Sequence, residues 1–269
     1  MQIEVKDLTY VYSEGMPFQS TAVEGVSFSV QKGEFCAIIG HTGSGKTTLV
    51  QLIAGLLKPV SGTVDADRKK IGIVFQYPEY QLFEETVLKD VCFGPKNMGF
   101  DEETCIKRAK HALKLVGLNP DDFADSSPFN LSGGEKRRVA IAGVMAMRPE
   151  VLILDEPAAG LDPRGHKDIL DMISRIRREY EMTIIIVSHN MDDVASLADH
   201  VLVMDKGRLV MDGTPQSVFS RAGELIDMGL GLPSGAAFLD LLRKKGAEIE
   251  GTALTFDETL RLLTEKYKK

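Results

Sequence analysis

One glycine-rich stretch carries residue types that bind the phosphates of a nucleotide. Gly40, Gly45, Lys46 and Thr47 fit the pattern G-x-x-x-x-G-K-[ST], in which glycines allow backbone N–H groups to surround a phosphate. The lysine neutralises the outer phosphates, and the threonine hydroxyl reaches Mg²⁺. The pattern lies between an apolar run, FCAII, and a helical one, TTLVQLIAGLL. This context favours a phosphate loop over a simple glycine turn.

The whole stretch is expected to contact the nucleotide. Within it, we expect the side chains of His41 and Ser44 to serve chiefly the geometry of the loop. The nucleotide-binding residues predicted here are Gly40, His41, Thr42, Gly43, Ser44, Gly45, Lys46, Thr47 and Thr48.

Two adjacent carboxylates follow another apolar run. VLILDEP, residues 151–157, contains Asp155 and Glu156. If the run is a strand of a parallel sheet, its carboxyl end lies at the edge where such sheets bind ligands. Asp155 can then hold Mg²⁺, and Glu156 can orient or deprotonate a water molecule beside the γ-phosphate. By themselves, paired acids after a strand are often only charges at a helix start, so this prediction depends on the phosphate loop.

Two further polar residues end apolar runs in the same way. Gln76 closes IGIVFQ, and its amide oxygen could bind Mg²⁺ or the attacking water. His189 follows TIIIVS and could contact the γ-phosphate. Each also has an ordinary interpretation as a structural residue at a strand end. On position alone the structural interpretation is the commoner one for both residues.

A second glycine-lined helix start lies in FNLSGGEKRR, residues 129–138. Ser132 and Glu135 have the S-x-x-E spacing of a capping box, which satisfies the first N–H groups of a helix. Gly133 and Gly134 leave the same helix end without side chains, so a phosphate could approach it. A capping box needs no ligand, and without the other motifs the structural interpretation is the better one.

The composition limits the class of protein. The 269 residues are 43% hydrophobic and 26% charged, which is ordinary for a globular protein with a substantial core. The formal net charge of -7 argues against a general nucleic-acid binder, which usually has a basic excess. Cys36, Cys92 and Cys105 are not clustered, which favours reduced cytosolic thiols over a disulfide framework or a zinc site.

Membrane and targeting signals are not recognisable in the sequence. No apolar run approaches the roughly 20 residues that a membrane helix needs. The amino-terminal residues do not have the pattern of a signal peptide. We therefore expect any membrane role to go through a partner.

Apolar runs alternate with amphipathic stretches, which predicts an α/β fold with a mainly parallel sheet. Five runs are apolar at nearly every position, as in strands buried on both faces: FCAII, IGIVF, VLILD, TIIIV and HVLVM. IEVKDL and VSFSV alternate instead, which suits an antiparallel sheet with one wet face. Residues 101–116 predict a helix within a helical insertion at about 85–145. Beyond about residue 215 the sequence predicts only short helices, so we expect domains at 1–215 and 216–269, with a solvated basic end.

Taken in order, the motifs resemble those of ATP-binding cassette (ABC) ATPases. Six elements match the phosphate loop, Q-loop, signature, acidic strand, D-loop and switch histidine of that family: Gly40 to Thr47, Gln76, LSGGE at 131–135, VLILDEP at 151–157, AGLD at 159–162, and His189. The resemblance covers residues 1 to about 215. It implies an ABC-type P-loop NTPase fold with an antiparallel β subdomain, ATP and Mg²⁺ as ligands, and ATP hydrolysis.

The resemblance also assigns roles to single residues. The catalytic residues would be Glu156, His189 and Gln76, and the metal ligands Thr47, Gln76 and Asp155. Tyr12 is the best match to the aromatic residue that stacks on adenine, with Tyr10 as the second choice. In this family the signature of one subunit binds the γ-phosphate held by another subunit, so two head-to-tail chains bury two ATP molecules. The signature residues acting across this interface would be Ser132, Gly133 and Gly134, and Asp162 of the D-loop would also bind the nucleotide.

Two positions depart from the family pattern. Glu135 replaces the commoner glutamine, and Ala158 stands where threonine is frequent. The first departure places an acidic side chain in the signature where the family commonly has a neutral one.

A longer segment is similar to one branch of the family. FQYPEYQLFEETVLKDVCFGPKN at 75–97, together with the motifs above, resembles the ATPase subunit of energy-coupling factor (ECF) transporters, which import vitamins and transition-metal ions in prokaryotes. The resemblance implies a peripheral position on the cytoplasmic face of the membrane and no nucleic-acid partner. It also implies a second ECF ATPase as partner, with a heterodimer favoured over a homodimer, and a carboxy-terminal appendage that helps to hold the dimer together.

Two membrane partners follow from the same resemblance. A scaffold (T) subunit would insert coupling helices near Gln81, Leu82, Phe83, Glu84 and Glu85. A substrate-binding (S) subunit would be reached only indirectly, so the sequence does not name the cargo. Glu84 and Glu85 could pair with a basic residue of a coupling helix, or they could be two solvated acids at a helix start.

Other functions fit less well. A soluble ABC ATPase of DNA repair or ribosome function would need a long coiled coil, zinc modules or two cassettes, and none fits in 269 residues. The ATPase of another ABC importer, or a nucleotide-gated regulatory module without transport, stays open at this point. The module would be expected to lose Glu156 or His189, and both are present.

Overall fold

The computed structural model describes residues 1–249 and 251–267. These residues form nine strands: β1 Ile3–Tyr12, β2 Ser20–Val30, β3 Phe35–Ile39, β4 Ser61–Asp65, β5 Ile71–Val74, β6 Val151–Asp155, β7 Thr183–Val187, β8 His200–Asp205 and β9 Arg208–Gly213. They also form eleven α-helices: α1 Lys46–Ile53, α2 Val87–Asn97, α3 Glu102–Leu115, α4 Pro120–Phe123, α5 Gly133–Met145, α6 Pro163–Tyr180, α7 Met191–Leu197, α8 Pro215–Phe219, α9 Ala222–Asp227, α10 Ser234–Lys244 and α11 Phe256–Tyr267. The chain divides into two compact units, the first Met1–Ala66 with Val187–Lys269 and the second Asp67–Ile186.

The first unit contains a three-stranded antiparallel sheet in the order β2, β1, β4. Val5 in β1 lies opposite Phe28 in β2 and opposite Val64 in β4. Buried and more exposed residues alternate at the start of β1, as the sequence pattern predicts for a sheet with one wet face. The alternation breaks at Asp7, whose φ of 46° coincides with a register shift after Val5.

The first unit also contains strands that are buried on both faces. β3 pairs in parallel with β8, and β9 pairs antiparallel to the other side of β8. All five residues of β3 are buried, because a parallel strand covered on both faces has no side that meets water. The phosphate loop follows β3 directly and leads into α1.

The second unit contains β5, β6 and β7 in this order, and β5 and β6 run parallel. Every residue of β6 and β7 is buried, as predicted for these two apolar runs. The same prediction for IGIVF is wrong, because Gly72 and Val74 of β5 are buried while Ile71 and Ile73 are only half-buried, so one face of this strand is less completely covered. Helices α2 to α5 occupy the region predicted as a helical insertion. The helix predicted at 101–116 is α3, and Asp101 caps it by accepting a hydrogen bond from the Thr104 N–H.

After β9 the described chain contains helices and connections only. Leu239, Ile249 and Ala253 form a small buried cluster of their own. The start of α10 is tied to α7, since the backbone N–H and the hydroxyl of Ser234 donate to the two carboxylate oxygens of Asp192, at 2.7 Å each. Of the basic chain end expected to be solvated, Lys268 and Lys269 lie outside the described residues, as does Glu250.

The described helices include none with the length and apolar character needed to cross a membrane. The three cysteines are free thiols, and Cys36 and Cys105 are buried.

Candidate nucleotide-binding site

The glycines of the phosphate loop have backbone conformations that other residues rarely adopt. Gly40, Gly43 and Gly45 have φ angles of 153°, 81° and 100°. A Cβ at Gly40 would lie 2.3 Å from the Met204 carbonyl oxygen, and one at Gly45 would lie 2.2 Å from the Ala22 carbonyl oxygen. A Cβ at Gly43 would meet nothing within 4 Å among the described residues. The loop is therefore packed against its own unit at two glycines and open at the third, where a ligand can approach.

Lys46 brings a positive charge to this loop. Its Nζ donates to the carbonyl oxygens of Gly40 and His41, both at 2.8 Å, and the residue is only 6% exposed. Helix α1 begins at Lys46, and no side chain of the described residues caps it at Gly45. Its first N–H groups and its dipole add positive potential at the same end. The loop is thus suited to bind a polyanion.

His41 and Ser44 differ in what their side chains do. The His41 ring is held within the unit, with Nε2 at 2.8 Å from Asp205 Oδ1 and Nδ1 at 2.7 Å from the Thr42 carbonyl oxygen. Ser44 Oγ is buried without a hydrogen-bond partner among the described residues. Such a group carries a desolvation cost, which a phosphate oxygen accepting its hydrogen bond would remove. Ser44 is therefore better suited to contact a phosphate than its expected geometric role in the loop implies.

Tyr12 and His189 belong to the same unit as the phosphate loop. Tyr12 Oη lies 3.2 Å from Thr48 Oγ1, and its ring packs edge-on against Tyr10 at 4.9 Å between centroids. With 43% of Tyr12 exposed, the ring has a face available for a nucleobase at the loop. His189 follows β7 and is exposed, while the cap of α7 comes from the next residue, Asn190.

The second unit brings two predicted catalytic residues together. Gln76 Nε2 donates to Glu156 Oε2 at 3.1 Å, although the residues are 80 positions apart. Glu156 follows Asp155, the buried last residue of β6. The φ angles of Glu156 and Tyr77 are 50° and 54°, in the left-handed region that costs an L-residue roughly 1–2 kcal/mol. Such strain persists only where the surrounding structure holds it, and it is concentrated at functional sites.

A buried arginine that was not predicted from the sequence connects the same two segments. Arg137 in α5 is 1% exposed and donates to both carboxylate oxygens of Glu79, at 2.9 and 3.1 Å from Nη2. Its Nη1 donates to the carbonyl oxygens of Pro157 and Ala159, at 3.0 and 2.7 Å. A signal was present in the sequence, because Arg137 continues the i, i+4 spacing of the apolar face of its helix.

The signature segment has the predicted capping box. Glu135 accepts hydrogen bonds from the Ser132 N–H at 2.8 Å and from its hydroxyl at 2.6 Å, while the Ser132 hydroxyl accepts from the Glu135 N–H. The Ser132 hydroxyl and N–H, with Arg138 nearby, hold the pKa of Glu135 below its usual value. Glu135 therefore takes part in the capping box of α5 as an ionised carboxylate. Asp162 caps α6 by accepting from the Gly165 N–H at 2.7 Å.

The capping box does not explain the two glycines beside it. Gly133 and Gly134 have no positive φ. A Cβ at either would meet nothing within 4 Å among the described residues. Neither backbone conformation nor packing within the chain requires glycine there, unlike at Gly40 and Gly45. The open space at this helix end is available to a group from outside the chain.

The segment expected to meet the scaffold subunit is partly apolar and exposed. Tyr80 and Phe83 are 85% and 56% exposed, whereas Leu82 is buried and is not available for a partner. Phe83 packs edge-on against Phe93 at 4.9 Å between ring centroids. Glu85 forms an ion pair with Lys89 at 2.6 Å, which holds the pKa of Glu85 below its usual value.

Comparisons with known proteins agree with this arrangement. A family model described as ABC transporter matches residues 23–159. The chain is 50% identical to the energy-coupling factor transporter ATP-binding protein EcfA2 of Clostridium tetani, over 98% of this chain and 96% of that protein. It is 47% identical to EcfA2 of Enterococcus faecalis, over 100% of this chain and 98% of that protein.

Two solved structures have a similar fold. One is cbiO1 from Clostridium perfringens, described as part of the ABC transporter complex cbiONQ, with a TM-score of 0.74 and 39% identity over 88% of this chain and 98% of that one. The other is the dimeric ATP-binding cassette MJ0796 in a post-hydrolysis state bound to ADP and Pi, with a TM-score of 0.70 and 28% identity over 80% of this chain and 99% of that one.

These findings confirm the predicted fold class and activity. The fold is that of an ABC ATPase, and the activity is ATP hydrolysis coupled to transport. The regulatory module without transport is not favoured. The chain belongs to the ABC transporter family and, within it, to the ATP-binding subunits of energy-coupling factor transporters.

Proposed function

We propose that this chain hydrolyses ATP at sites completed by the signature segment of a second ATPase chain. The observation that carries the proposal is the bare helix end at Gly133 and Gly134, where nothing within the described chain requires glycine. The N–H groups at the start of α5 can bind a γ-phosphate that another chain holds. Asp162, in the turn that leads into α6, is proposed to act across the same interface.

The phosphate loop is proposed to bind the phosphates of ATP, and Tyr12 to stack on its adenine ring. Lys46 would neutralise the β- and γ-phosphates, and Ser44 would donate to a phosphate oxygen. The exposed Tyr12 ring lies at the loop through its contact with Thr48, which suits a base attached to the bound phosphates. His189 is proposed to contact the γ-phosphate.

Mg²⁺ would be held by oxygen atoms of Thr47, Gln76 and Asp155. Hydroxyl, amide and carboxylate oxygens are ligands that Mg²⁺ prefers, together with water and phosphate oxygens. The described residues contain no group of three or more His, Cys, Asp or Glu side chains able to hold a metal by themselves. When bound, the ion neutralises charge on the phosphate oxygens.

Glu156 is proposed to act as the general base. A water oxygen attacks the γ-phosphorus as the bond to the ADP oxygen breaks, and the water proton passes to the Glu156 carboxylate. Gln76, hydrogen-bonded to Glu156, would position this carboxylate and the water. Inorganic phosphate and ADP are the products.

The test of shared sites is the specific activity as a function of protein concentration. The active assembly should contain two ATPase chains, so the rate per chain should rise with concentration and reach a plateau once the chains are paired. The partner ATPase should be titrated into this chain as well, because we propose a heterodimer. A specific rate that stays constant in chains shown to be monomeric would contradict the proposal.

The surface of Tyr80, Phe83 and Phe93 is proposed to bind the scaffold subunit. The three rings are exposed, and the Phe83–Phe93 pair provides a fixed apolar contact. Glu84, rather than the already paired Glu85, is the better partner for a basic residue of a coupling helix. Through this contact the chain would lie peripherally at the cytoplasmic face of the membrane, where it would energise an importer of vitamins or transition-metal ions.

Co-purification tests the scaffold surface. Replacing Tyr80 and Phe83 by serine should reduce recovery of the scaffold with the ATPases at least about 10-fold, since each ring would lose its apolar burial. Reversing the charge of Glu84 should reduce recovery more than reversing that of Glu85. Val60→Ser, at an exposed apolar residue elsewhere, is the matched control. Undiminished recovery of the double variant would exclude this surface.

A further inference from the structure

We infer that Arg137 is a positioning residue that holds the Gln76 and Glu156 segments in the geometry needed for hydrolysis. The inference rests on the proposed role of Glu156 as the general base. Its basis is the set of hydrogen bonds that the Arg137 guanidinium makes to both segments.

The guanidinium contacts each segment close to the residue that matters. Glu79, which accepts from Arg137 at two oxygens, stands three positions after Gln76. Pro157, whose carbonyl oxygen accepts at 3.0 Å, follows Glu156 directly. Gln76 and Glu156 are themselves joined by their 3.1 Å hydrogen bond. The two segments are therefore linked twice, once by the functional pair and once through Arg137.

Arginine suits this position better than lysine. The planar guanidinium carries its donors in a fixed fork, so it can bind a carboxylate through two atoms and still donate elsewhere. Arg137 uses this geometry, with Nη2 and Nε directed to Glu79 and Nη1 directed to two carbonyl oxygens. An ammonium group is a compact charge and cannot reproduce the same set of directions.

The backbone at both ends of the link is in an unfavourable conformation. Tyr77, next to Gln76, and Glu156 itself both have φ near 50° without being glycine. Such conformations persist only when neighbouring contacts hold them. Arg137 is a buried charged group that contacts both of the segments concerned. Its removal should therefore let the Glu156 carboxylate move, even if the rest of the unit stays folded.

The experiment compares Arg137→Lys, Glu79→Gln and the double variant with the wild type, in the importer assembled with its second ATPase and membrane subunits. We expect kcat to fall about 10–100-fold in each single variant, since displacements near 1 Å at a reacting group can cost about 100-fold. The KM for ATP should stay within about 3-fold, because Lys46 and Tyr12 are unchanged. The kcat of the double variant should be no more than about 3-fold below that of the slower single variant, because the two substitutions break the same link between the segments.

A matched pair of residues controls for the loss of an Arg–Glu contact as such. Arg208 donates to Glu24 through two nitrogens, at 3.1 and 2.7 Å, but both side chains are exposed. Arg208→Lys and Glu24→Gln should keep kcat within about 2-fold. ATP binding by each full-length variant is measured with a fluorescent ATP analogue, and rates are expressed per ATP-binding molecule.

The outcomes separate the two proposals. If Glu156→Gln is inactive while Arg137→Lys and Glu79→Gln retain kcat within about 3-fold per ATP-binding molecule, the positioning role is wrong. The positioning role is also wrong if the variants lose melting temperature and yield but not kcat, since that is a purely structural role. If Glu156→Gln itself hydrolyses ATP like the wild type, the general-base proposal fails, and the Arg137 inference fails with it.

Discussion

At the scale of single residues, the phosphate loop and the signature show two different uses of glycine. Gly45 has a φ of 100° and no space for a Cβ, so the fold of the loop itself requires glycine there. Gly133 has neither constraint. The first glycine is explained by the chain alone, whereas for the second we propose a ligand that approaches from outside.

Glu156→Gln is expected to bind ATP and to lose most of its turnover. The amide keeps the size of the side chain and a hydrogen-bonding group for Gln76, but it cannot accept a proton. General-base catalysis contributes about 10²–10⁴-fold, so kcat should fall by that factor with little change in ATP affinity. Steady-state hydrolysis and equilibrium binding on the same preparation check this. Turnover like that of the wild type would remove Glu156 from the base role.

The Cys92 thiol is expected to react slowly with alkylating reagents. Burial, with smaller effects of Cys105 and Glu102, raises its pKa to about 11 from an ordinary value of 9.0. At a pH well below both pKa values, the fraction of Cys92 present as thiolate is then about 100-fold smaller than for a cysteine with the ordinary pKa. A thiolate with a higher pKa is intrinsically more nucleophilic, but this offsets only part of the loss.

Iodoacetamide labelling followed by mass spectrometry measures the rate. In the native chain Cys92 should react at least about 10-fold more slowly at neutral pH than in the denatured chain, and its rate should rise as the pH approaches 11. Cys36, whose fully buried thiol also has a raised pKa, serves as the unreactive reference. Equal rates in native and denatured chains would contradict the environment described for Cys92.

At the scale of elements, most of the residues proposed to bind or hydrolyse ATP stand near a point where a strand or helix begins or ends. β3 leads into the phosphate loop, and β6 ends at Asp155. α5 begins at the signature, with a capping box that leaves its bare N-terminal end accessible. The ends of these elements thus present side-chain carboxylates and backbone N–H groups. The N–H groups of a first helical turn have no partner within the helix itself.

Substituting alanine into the two helix starts should give opposite results. Gly45→Ala should destabilise the fold and remove ATP binding, because its Cβ would meet the Ala22 carbonyl oxygen at 2.2 Å. Gly133→Ala and Gly134→Ala should keep or slightly raise the melting temperature, since alanine is favoured over glycine in helices by roughly 1 kcal/mol.

The signature variants should nevertheless lower the ATPase rate of the paired chains at least about 10-fold, since the added methyl groups occupy the space proposed for the γ-phosphate. Thermal melts and ATPase assays on the same samples provide the comparison. Stable signature variants with unchanged ATPase rates would mean that this helix end does not bind the nucleotide.

At the scale of the whole molecule, the apolar surface of the last helices is a feature that a single chain leaves unexplained. Their buried cluster around Leu239 covers only part of their apolar residues. Phe256 is 78% exposed, and Phe238, Leu241 and Leu260 are also exposed. We propose from the family resemblance that residues 216–269 help to hold two ATPases together, and this surface fits that role.

Replacing Phe256 and Leu260 by serine should weaken the ATPase dimer. If the two side chains are buried between subunits, the loss of apolar contact should raise the dissociation constant at least about 10-fold. Sedimentation velocity over a range of concentrations measures this for the pair of ATPases. Val60→Ser, at an exposed valine outside the appendage, should leave the constant unchanged. If the double variant dimerises like the wild type, the appendage does not contribute to pairing.

Much of the fold could be predicted because its signals are local. The pattern of apolar residues indicates how many faces of a strand are covered. IEVKDL alternates, which indicates one covered face, whereas the unbroken apolar runs FCAII and VLILD indicate two. Asp101 marks the start of α3 because its side chain caps the helix within four residues. The position of Leu82 was not predictable in the same way. Exposed Phe83 and buried Leu82 are adjacent and equally apolar, and only the packing of the second unit distinguishes them.

The sequence by itself determined the phosphate loop, the capping box and the order of the motifs, because these depend on backbone conformation and on hydrogen bonds between near neighbours. Only the tertiary structure decided which distant groups meet. Gln76 reaches Glu156 across 80 positions, Arg137 reaches Glu79 across 58, and His41 reaches Asp205 across 164. A buried or partly buried charge can be satisfied by any suitably placed partner, so its actual partner is set by the fold and cannot be identified from spacing along the chain.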